Sequence, residues 1–334
     1  MFATIIWYQQ LRKYKGYFIV AALALVDGLS GAGYLNAGIY RINLVVNDGA
    51  AEQVTRLQCL LHSYNLIWLF TATLQPLMLL LVSVDRLLSV VIPFRYYTFT
   101  NSYALKMVGV AVAMVTVQAV VGVVTTVKLD RHKEVEALCF STSAHDRGFF
   151  HFVFFCIFSF SFLSVLLYIA VIAVFARRMR LLKRKHSQPE IVWKRLLQGQ
   201  KRLNTSLAIS CIFTFFLVTV PSAIYLAQRF ELLTKDHNRL FNLSIGILGQ
   251  LNPIMNFLLF FCRHGDIRQA IWCFVRCRTL PSDFQIGAAV SPSRKLSTVS
   301  HAAVSPYPRR SWTGLNEQHN GRKIGRDMRC NTTL

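Results

Sequence analysis

Asp85 and Arg86 stand side by side after the apolar run Leu81-Val82-Ser83-Val84, and the next chemistry-bearing letters are Pro93-Phe94-Arg95-Tyr96-Tyr97. A carboxylate and a guanidinium at an interface of intermediate dielectric can pair in one conformation and exchange partners in another, which is switching and not bond-making. Asp27 lies inside a second apolar run, where a lone charge is costly, so it must face polar partners inside a bundle. Asn252-Pro253 interrupts a third run and Pro221 a fourth, and each proline removes a backbone donor in mid-helix and makes a hinge. The sequence holds no metal-ligand cluster, phosphate-binding glycine loop or nucleophile triad, so neither an enzyme nor a cofactor is expected.

The elements that must position these residues are membrane helices. The 334-residue chain is 54% hydrophobic and 16% charged, against about 25% charged in soluble domains. A helix needs about 20 apolar residues to cross about 30 Å of hydrocarbon. Six stretches qualify, at 17–40, 60–84, 104–127, 149–176, 205–227 and 239–261. Residues 1–8 are apolar as well, but at about 1.5 Å per residue they are too short to cross, and they read as the stump of a further helix.

Charge supplies the orientation. The chain carries 37 Lys+Arg against 15 Asp+Glu, a formal net charge of +22. Of the basic residues, 28 fall on one side of the six stretches: the N-terminal segment, the 85–106 and 177–202 loops and the chain after 263. The opposite loops are nearly neutral. By the positive-inside rule the basic side is cytoplasmic, with both termini inside, in a multi-pass protein of the plasma membrane. Nucleic acid is not an expected partner, because the basic residues flank apolar spans instead of interleaving with exposed aromatics. Cys59 and Cys139 alone among the eight cysteines fall on the outer, oxidising side, so a disulfide between them is expected, tying the 128–147 loop over the bundle mouth.

Several segments together resemble the rhodopsin-like, class A G-protein-coupled receptors. Asp85-Arg86 followed by Val90-x-x-Pro93-x-x-Tyr96 resembles the D-R-Y region, and Leu23-Ala24-Leu25-Val26-Asp27 matches L-A-x-x-D. Asn252-Pro253-Ile254-Met255-Asn256 matches N-P-x-x-Y except at its last letter. Phe215 and Pro221 fit F-x-x-x-W-x-P, with Thr219 in the tryptophan's place, and Tyr168 resembles the switch tyrosine. Within the family, the V-D-R-L and P-x-R-Y wording, the terminal Asn256 and the missing tryptophan are most similar to nematode serpentine chemoreceptors of the Srsx class. A neuropeptide-type receptor shares many of these letters and is the alternative.

The resemblance implies an all-α, polytopic seven-transmembrane receptor fold, here with six complete spans and an N-terminal stump of the first helix, most of which is lacking. A receptor domain would cover 1–278 and a disordered cytoplasmic tail 279–334. It implies that Asp85, Arg86, Tyr168, Pro221, Asn252 and Pro253 form the switch coupled to a heterotrimeric G protein. Lys201 stands where many relatives place a second, acidic lock on Arg86. Asp27 and Asn252 would share an intramembrane polar site; relatives hold sodium there, but Gln75 stands where a small hydroxyl residue is usual.

An outer pocket would be lined by Tyr64, Asn65, Trp68, Phe152, Ser222, Leu226 and Asn242, suiting a neutral small molecule or part of a peptide. Trp68 replaces the anchoring acid of amine receptors, and Gly246 the retinal lysine of opsins. Ile267, Ala270, Ile271 and Phe274 share one face of a short helix, the spacing of an interfacial amphipathic helix 8, with Cys273 and Cys277 as palmitoylation candidates. Arrestin and a kinase are the partners implied at the tail, and either the G protein or anionic lipid at the 177–202 loop. A six-span channel or a transporter is the rival of another class; the former needs a re-entrant filter or an arginine-repeat span and the latter an internal repeat, and the sequence has neither.

Overall fold

The computed structural model describes residues 1–8, 11, 15–130, 134–185, 205–229 and 238–278, and for 238–247 the backbone path alone. The expected tail, 279–334, and the whole of the 186–204 segment, Lys201 included, lie outside the described residues.

The architecture is a bundle of long apolar helices. A short α1 (Phe2–Trp7) precedes α2 (Lys15–Val46), α3 (Arg56–Leu61), α4 (Ser63–Val91), α5 (Pro93–Thr98) and α6 (Asn101–Asp130). Then come α7 (Ser141–Ala144), α8 (Arg147–Lys185), α9 (Thr205–Gln228), α10 (Asn238–Arg263) and α11 (Gly265–Val275). Among the described residues, α2, α4, α6, α8 and α9 are long and apolar enough to cross a membrane. The expected sixth stretch is helical as the 26-residue α10. The helices overrun their expected bounds: α4 has 29 residues, about 43 Å at about 1.5 Å each, against about 30 Å of hydrocarbon. The basic run at Arg177, Arg178 and Arg180, expected in a loop, continues α8 as helix to Lys185.

α4 is the central helix and packs against α2, α6 and α8. Its buried Leu74, Met78 and Val82 meet Leu23 and Val26 of α2, Val115 of α6, and Tyr168 of α8. α6 lies at the periphery, with Val110, Met114, Val117 and Val121 exposed. A row of bare aliphatic side chains on a bundle is the surface that lipid solvates. Ile5 of α1 and the nearby Leu11 are fully buried against Ala21 of α2 and Ala270 of α11, so the short first helix is an integral part of the packing.

Two local features differ from an all-helical reading. At one end, β1 (Gln53–Thr55) pairs antiparallel with β2 (Glu134–Glu136), Val54 opposite Val135. The expected disulfide stands beside this ribbon, joining Cys59 and Cys139 across 80 residues. Thr55 and Gln58 form a capping box that starts α3 immediately after the strand. The second feature is a π-helical turn, Phe215–Thr219, within α9. Pro221 has no N–H to give to the preceding turn, and a widened turn relieves the clash that its ring would make in a regular helix. The buried stripe of α9 steps by four from Ser206 to Ser210 and Thr214, then by five to Thr219, and afterwards reaches Ser222 and Leu226.

Candidate functional site

The end of α4 away from the disulfide holds the Asp85–Arg86 pair. Asp85 is 0% and Arg86 6% exposed, and Arg86 Nη2 lies 3.0 Å from Asp85 Oδ2. The short α5, started by Pro93 in its first turn, brings Tyr96 back over the same carboxylate. Its hydroxyl donates to Asp85, 3.0 Å from Oδ1 and 3.1 Å from Oδ2. Burial, reinforced by the adjacent carboxylate, raises the Tyr96 phenol above its ordinary range, so it remains a donor. The spacing Pro93-x-x-Tyr96 was visible in the sequence, but nothing in it aims the phenol at Asp85.

Arg86 is incompletely satisfied. Its Nε is buried and has no hydrogen-bond partner among the described residues. Such a group is poised to take a further acceptor, which a switch requires. Gly16, at the start of α2, lies so close to the guanidinium that only a hydrogen in place of a side chain fits. On the neighbouring helix, Tyr168 is buried in the core with Leu207 and Cys211 of α9. Ser83 and Ser164 hydroxyls, 2.9 Å apart, join α4 to α8, and Arg178 Nη2 donates to the Val91 carbonyl at 2.9 Å.

The intramembrane polar residues are arranged differently from expectation. Gln75 Nε2 donates to Asp27 Oδ1 at 2.8 Å. Asn252, expected to partner Asp27, instead accepts from Thr214 Oγ1 of α9 at 3.0 Å, and Asn256 Oδ1 accepts from Ser210 Oγ. Two amide oxygens of α10 thus accept from two hydroxyls of α9, one turn apart on each helix. Pro253 lies between them inside α10, so the helix whose backbone ladder is interrupted is fastened by side chains. Gln75 thus fills the space beside Asp27 where a small hydroxyl residue is usual, its amide donor on the carboxylate.

At the disulfide end, two residues expected to line a pocket serve the loop. Asn65 is fully buried; its Nδ2 donates to the carbonyls of Cys59 at 2.8 Å and Cys139 at 3.3 Å. Its Oδ1 accepts from Ser141 Oγ at 3.1 Å. Tyr64 is buried beside it, its hydroxyl 3.5 Å from the Cys139 carbonyl. Phe152 is 52% exposed, and Phe150, not Phe152, contacts Trp68, the rings stacking at 5.5 Å. Ser222 and Leu226 are buried on α9, and the side chain of Asn242 lies outside the described residues.

Around Trp68 the structure assembles an aromatic group that sequence reasoning did not name. Trp68 stacks on His145 at 5.4 Å as well as on Phe150, and Phe150 meets Tyr225 of α9 edge-on. Tyr225 Oη lies 3.0 Å from His151 Nδ1. His145 is 1% exposed, and neither ring nitrogen has a hydrogen-bond partner among the described residues. Burial, then the charge of Arg56, pushes this imidazole down to about 4 from 6.5, so it is neutral at pH 7. A neutral imidazole with both nitrogens unmet, stacked on a tryptophan, can give one hydrogen bond and accept another.

Among the described residues no His, Cys, Asp and Glu group has the make-up of a metal site. A search of curated proteins gives no match. Residues 6–274, spanning every described transmembrane helix and the Asp85–Arg86–Tyr96 cluster, match the family described as serpentine type 7TM GPCR chemoreceptor Srsx, and to that family of membrane receptors the chain belongs.

Proposed function

We propose that the chain is a chemosensory receptor that transmits ligand binding at its disulfide end to a heterotrimeric G protein at its Arg86 end. The observation that carries this reading is the buried Asp85–Arg86 pair closed by the Tyr96 phenol. Three groups from two consecutive helices hold one another at a helix end, and among the described residues Asp85 alone pairs with the arginine, whose Nε is unmet. Outward movement of the helix ends around it would free the guanidinium for another acceptor.

In this reading α10 is the sixth complete span and α11 the eighth helix of the receptor, and both chain ends lie in the cytoplasm. The receptor works at the plasma membrane. Tyr168, Pro221, Asn252 and Pro253 belong to the moving part, because the Asn252–Thr214 bond couples α9 and α10, each of which carries a proline. Trp68, Ser222, Leu226 and Asn242 line the ligand side together with His145 and Phe150. The ligand is a neutral small molecule or a short peptide segment, since the described lining is aromatic and hydroxylic. Cys273 on the last turn of α11 and Cys277 just after it are palmitoylation sites, and arrestin and a kinase act on the tail.

The test is nucleotide exchange on a panel of heterotrimeric G proteins, with the full chain in nanodiscs. Arg86→Ala should abolish exchange with every G protein that the native chain activates. Exchange that survives this change, or ion currents from the chain alone that survive it, would sink the reading.

A further inference from the structure

The last turn of α11 carries a feature that the switch and the ligand side do not use. An open cavity of about 330 Å3 lies along this helix, lined by Arg268, Gln269, Trp272, Arg276 and Arg278 together with Gly265 and Cys273. Arg268, Trp272 and Arg276 recur at the spacing of one helical face. Arg278 joins them because the chain reverses: Cys277 adopts a left-handed φ of 49°, and Arg278 N–H donates back to the Cys273 carbonyl at 2.8 Å. A non-glycine residue in that region is uncommon and has to be held there. Tyr8 does so from α1's end, its hydroxyl donating to the Arg278 carbonyl at 2.7 Å.

Three guanidinium groups are therefore brought round one cavity, and among the described residues that line it there is no carboxylate. The repulsion between Arg276 and Arg278 is offset in part by the helix C-terminus, whose unmet carbonyls favour cations. Arg276 also stands over the Trp272 ring, 5.4 Å from its centroid, which orients its fork. Planar forks of this kind match phosphate oxygens two at a time. On the opposite side of the helix Ile267 and Ala270 are fully buried, so the helix is anchored and the arginine face is free to bind.

We propose that this cavity is a binding site for an anion bearing more than one phosphate monoester, presented by a phosphoinositide headgroup of the adjoining leaflet or by a free inositol phosphate. The cavity has room for a six-membered ring with several phosphates, and Trp272, exposed on the same face, supplies a surface for the ring or the glycerol backbone. It is separate from the Arg177–Arg180 run of α8, none of whose residues lines it.

The experiment uses the full chain in phosphatidylcholine nanodiscs and a fluorescent short-chain phosphatidylinositol bisphosphate, read by anisotropy. One saturable site is expected, weakened at least tenfold by Arg268→Gln with Arg276→Gln and unchanged by Arg180→Gln. Displacement by excess inositol trisphosphate would show that the phosphates suffice; lack of displacement, with the arginine dependence intact, would assign the site to the lipid-borne form. Binding without saturation, or equal in the double variant and the native chain, or lowered equally by Arg180→Gln, overturns the proposal. Should the double variant fail to fold, each single variant replaces it, a threefold weakening being expected and none overturning the proposal. No G-protein readout enters, so failure here is distinct from failure of the receptor reading.

Discussion

Gly16 of α2 and Arg86 of α4 are in such close contact that a β-carbon on the glycine would overlap Arg86 Nη2. The glycine is there for space, since Gly16 lies in the first turn of a regular helix. The guanidinium is thereby walled on one side by the backbone of α2 and on the other by Asp85. Gly16→Val is expected to displace the guanidinium from this position, because the flexible end of the arginine yields more readily than the two helix backbones. Basal nucleotide exchange should rise several-fold while surface expression is kept; unchanged basal exchange would show that Arg86's resting position does not restrain the receptor.

Tyr96→Phe removes the phenolic donor from a buried carboxylate. A hydrogen bond to a charged group contributes about 1.5–3 kcal/mol, and Asp85 would keep only Arg86. The melting temperature should fall by several degrees and basal exchange should rise. The comparison with Asp85→Asn is informative, since that change loses the ion pair but keeps an acceptor for the phenol. If Tyr96→Phe behaves as the native chain in both measurements, the phenol plays no part in the lock.

His145 makes the disulfide end sensitive to acid. Its folded-state value of about 4 lies below its ordinary 6.5, so between these limits the unfolded chain binds more protons than the folded one. Stability is therefore full above about pH 6.5 and falls as the pH drops toward 4, by up to about 1.4 kcal/mol per pH unit. Arg56, the charged neighbour whose field opposes protonation, adds to the effect and does not reverse it. Thermal unfolding of the chain in nanodiscs between pH 7 and 4.5 should show this slope, and His145→Phe should flatten it. An equal slope in both chains would transfer the effect to other groups.

The Cys59–Cys139 bond closes an 80-residue segment, and on chain-entropy grounds its loss costs about 2–5 kcal/mol. Cys59→Ser with Cys139→Ser should lower the melting temperature and abolish its sensitivity to reductant. Asn65→Ala should reproduce part of that loss although it leaves the bond intact, because Asn65 holds both half-cystine carbonyls. If Asn65→Ala costs nothing, the loop is held by the disulfide alone.

The positions of the long helices, the Asp85–Arg86 pair, the disulfide and the apolar face of α11 were all legible in the sequence. Each depends on local spacing or on which side of the membrane a cysteine falls. Helix faces were harder. In a soluble helix the 3.6-residue period separates core from surface, but a helix between lipid and bundle is apolar on both faces. The α8 segment Phe149–Phe155 contains five phenylalanines, and nothing in the spacing says that Phe150 rather than Phe152 turns to Trp68. The roles of Asn65 and Asn252 were hidden for a related reason: a polar residue in a span must find a partner, and several hydroxyls compete for it. Tyr96 could be placed near Asp85 only once α5 had folded back.

The wide turn at Phe215–Thr219 has a consequence for how positions are compared between this chain and others. Each residue of a regular helix advances the azimuth by about 100°, so one extra residue in a turn displaces everything on one side of it by that angle relative to the other. Ser210 and Thr214 reach the amides of α10 on one phase, while Ser222 and Leu226 are set on another. A ruler laid from Pro221 toward Thr205 on the assumption of an unbroken helix is one notch out. Equivalence in the half of α9 that faces Asn252 and Asn256 therefore has to be counted from Thr214, and a residue chosen for mutation by its distance from the proline would point into the wrong neighbour.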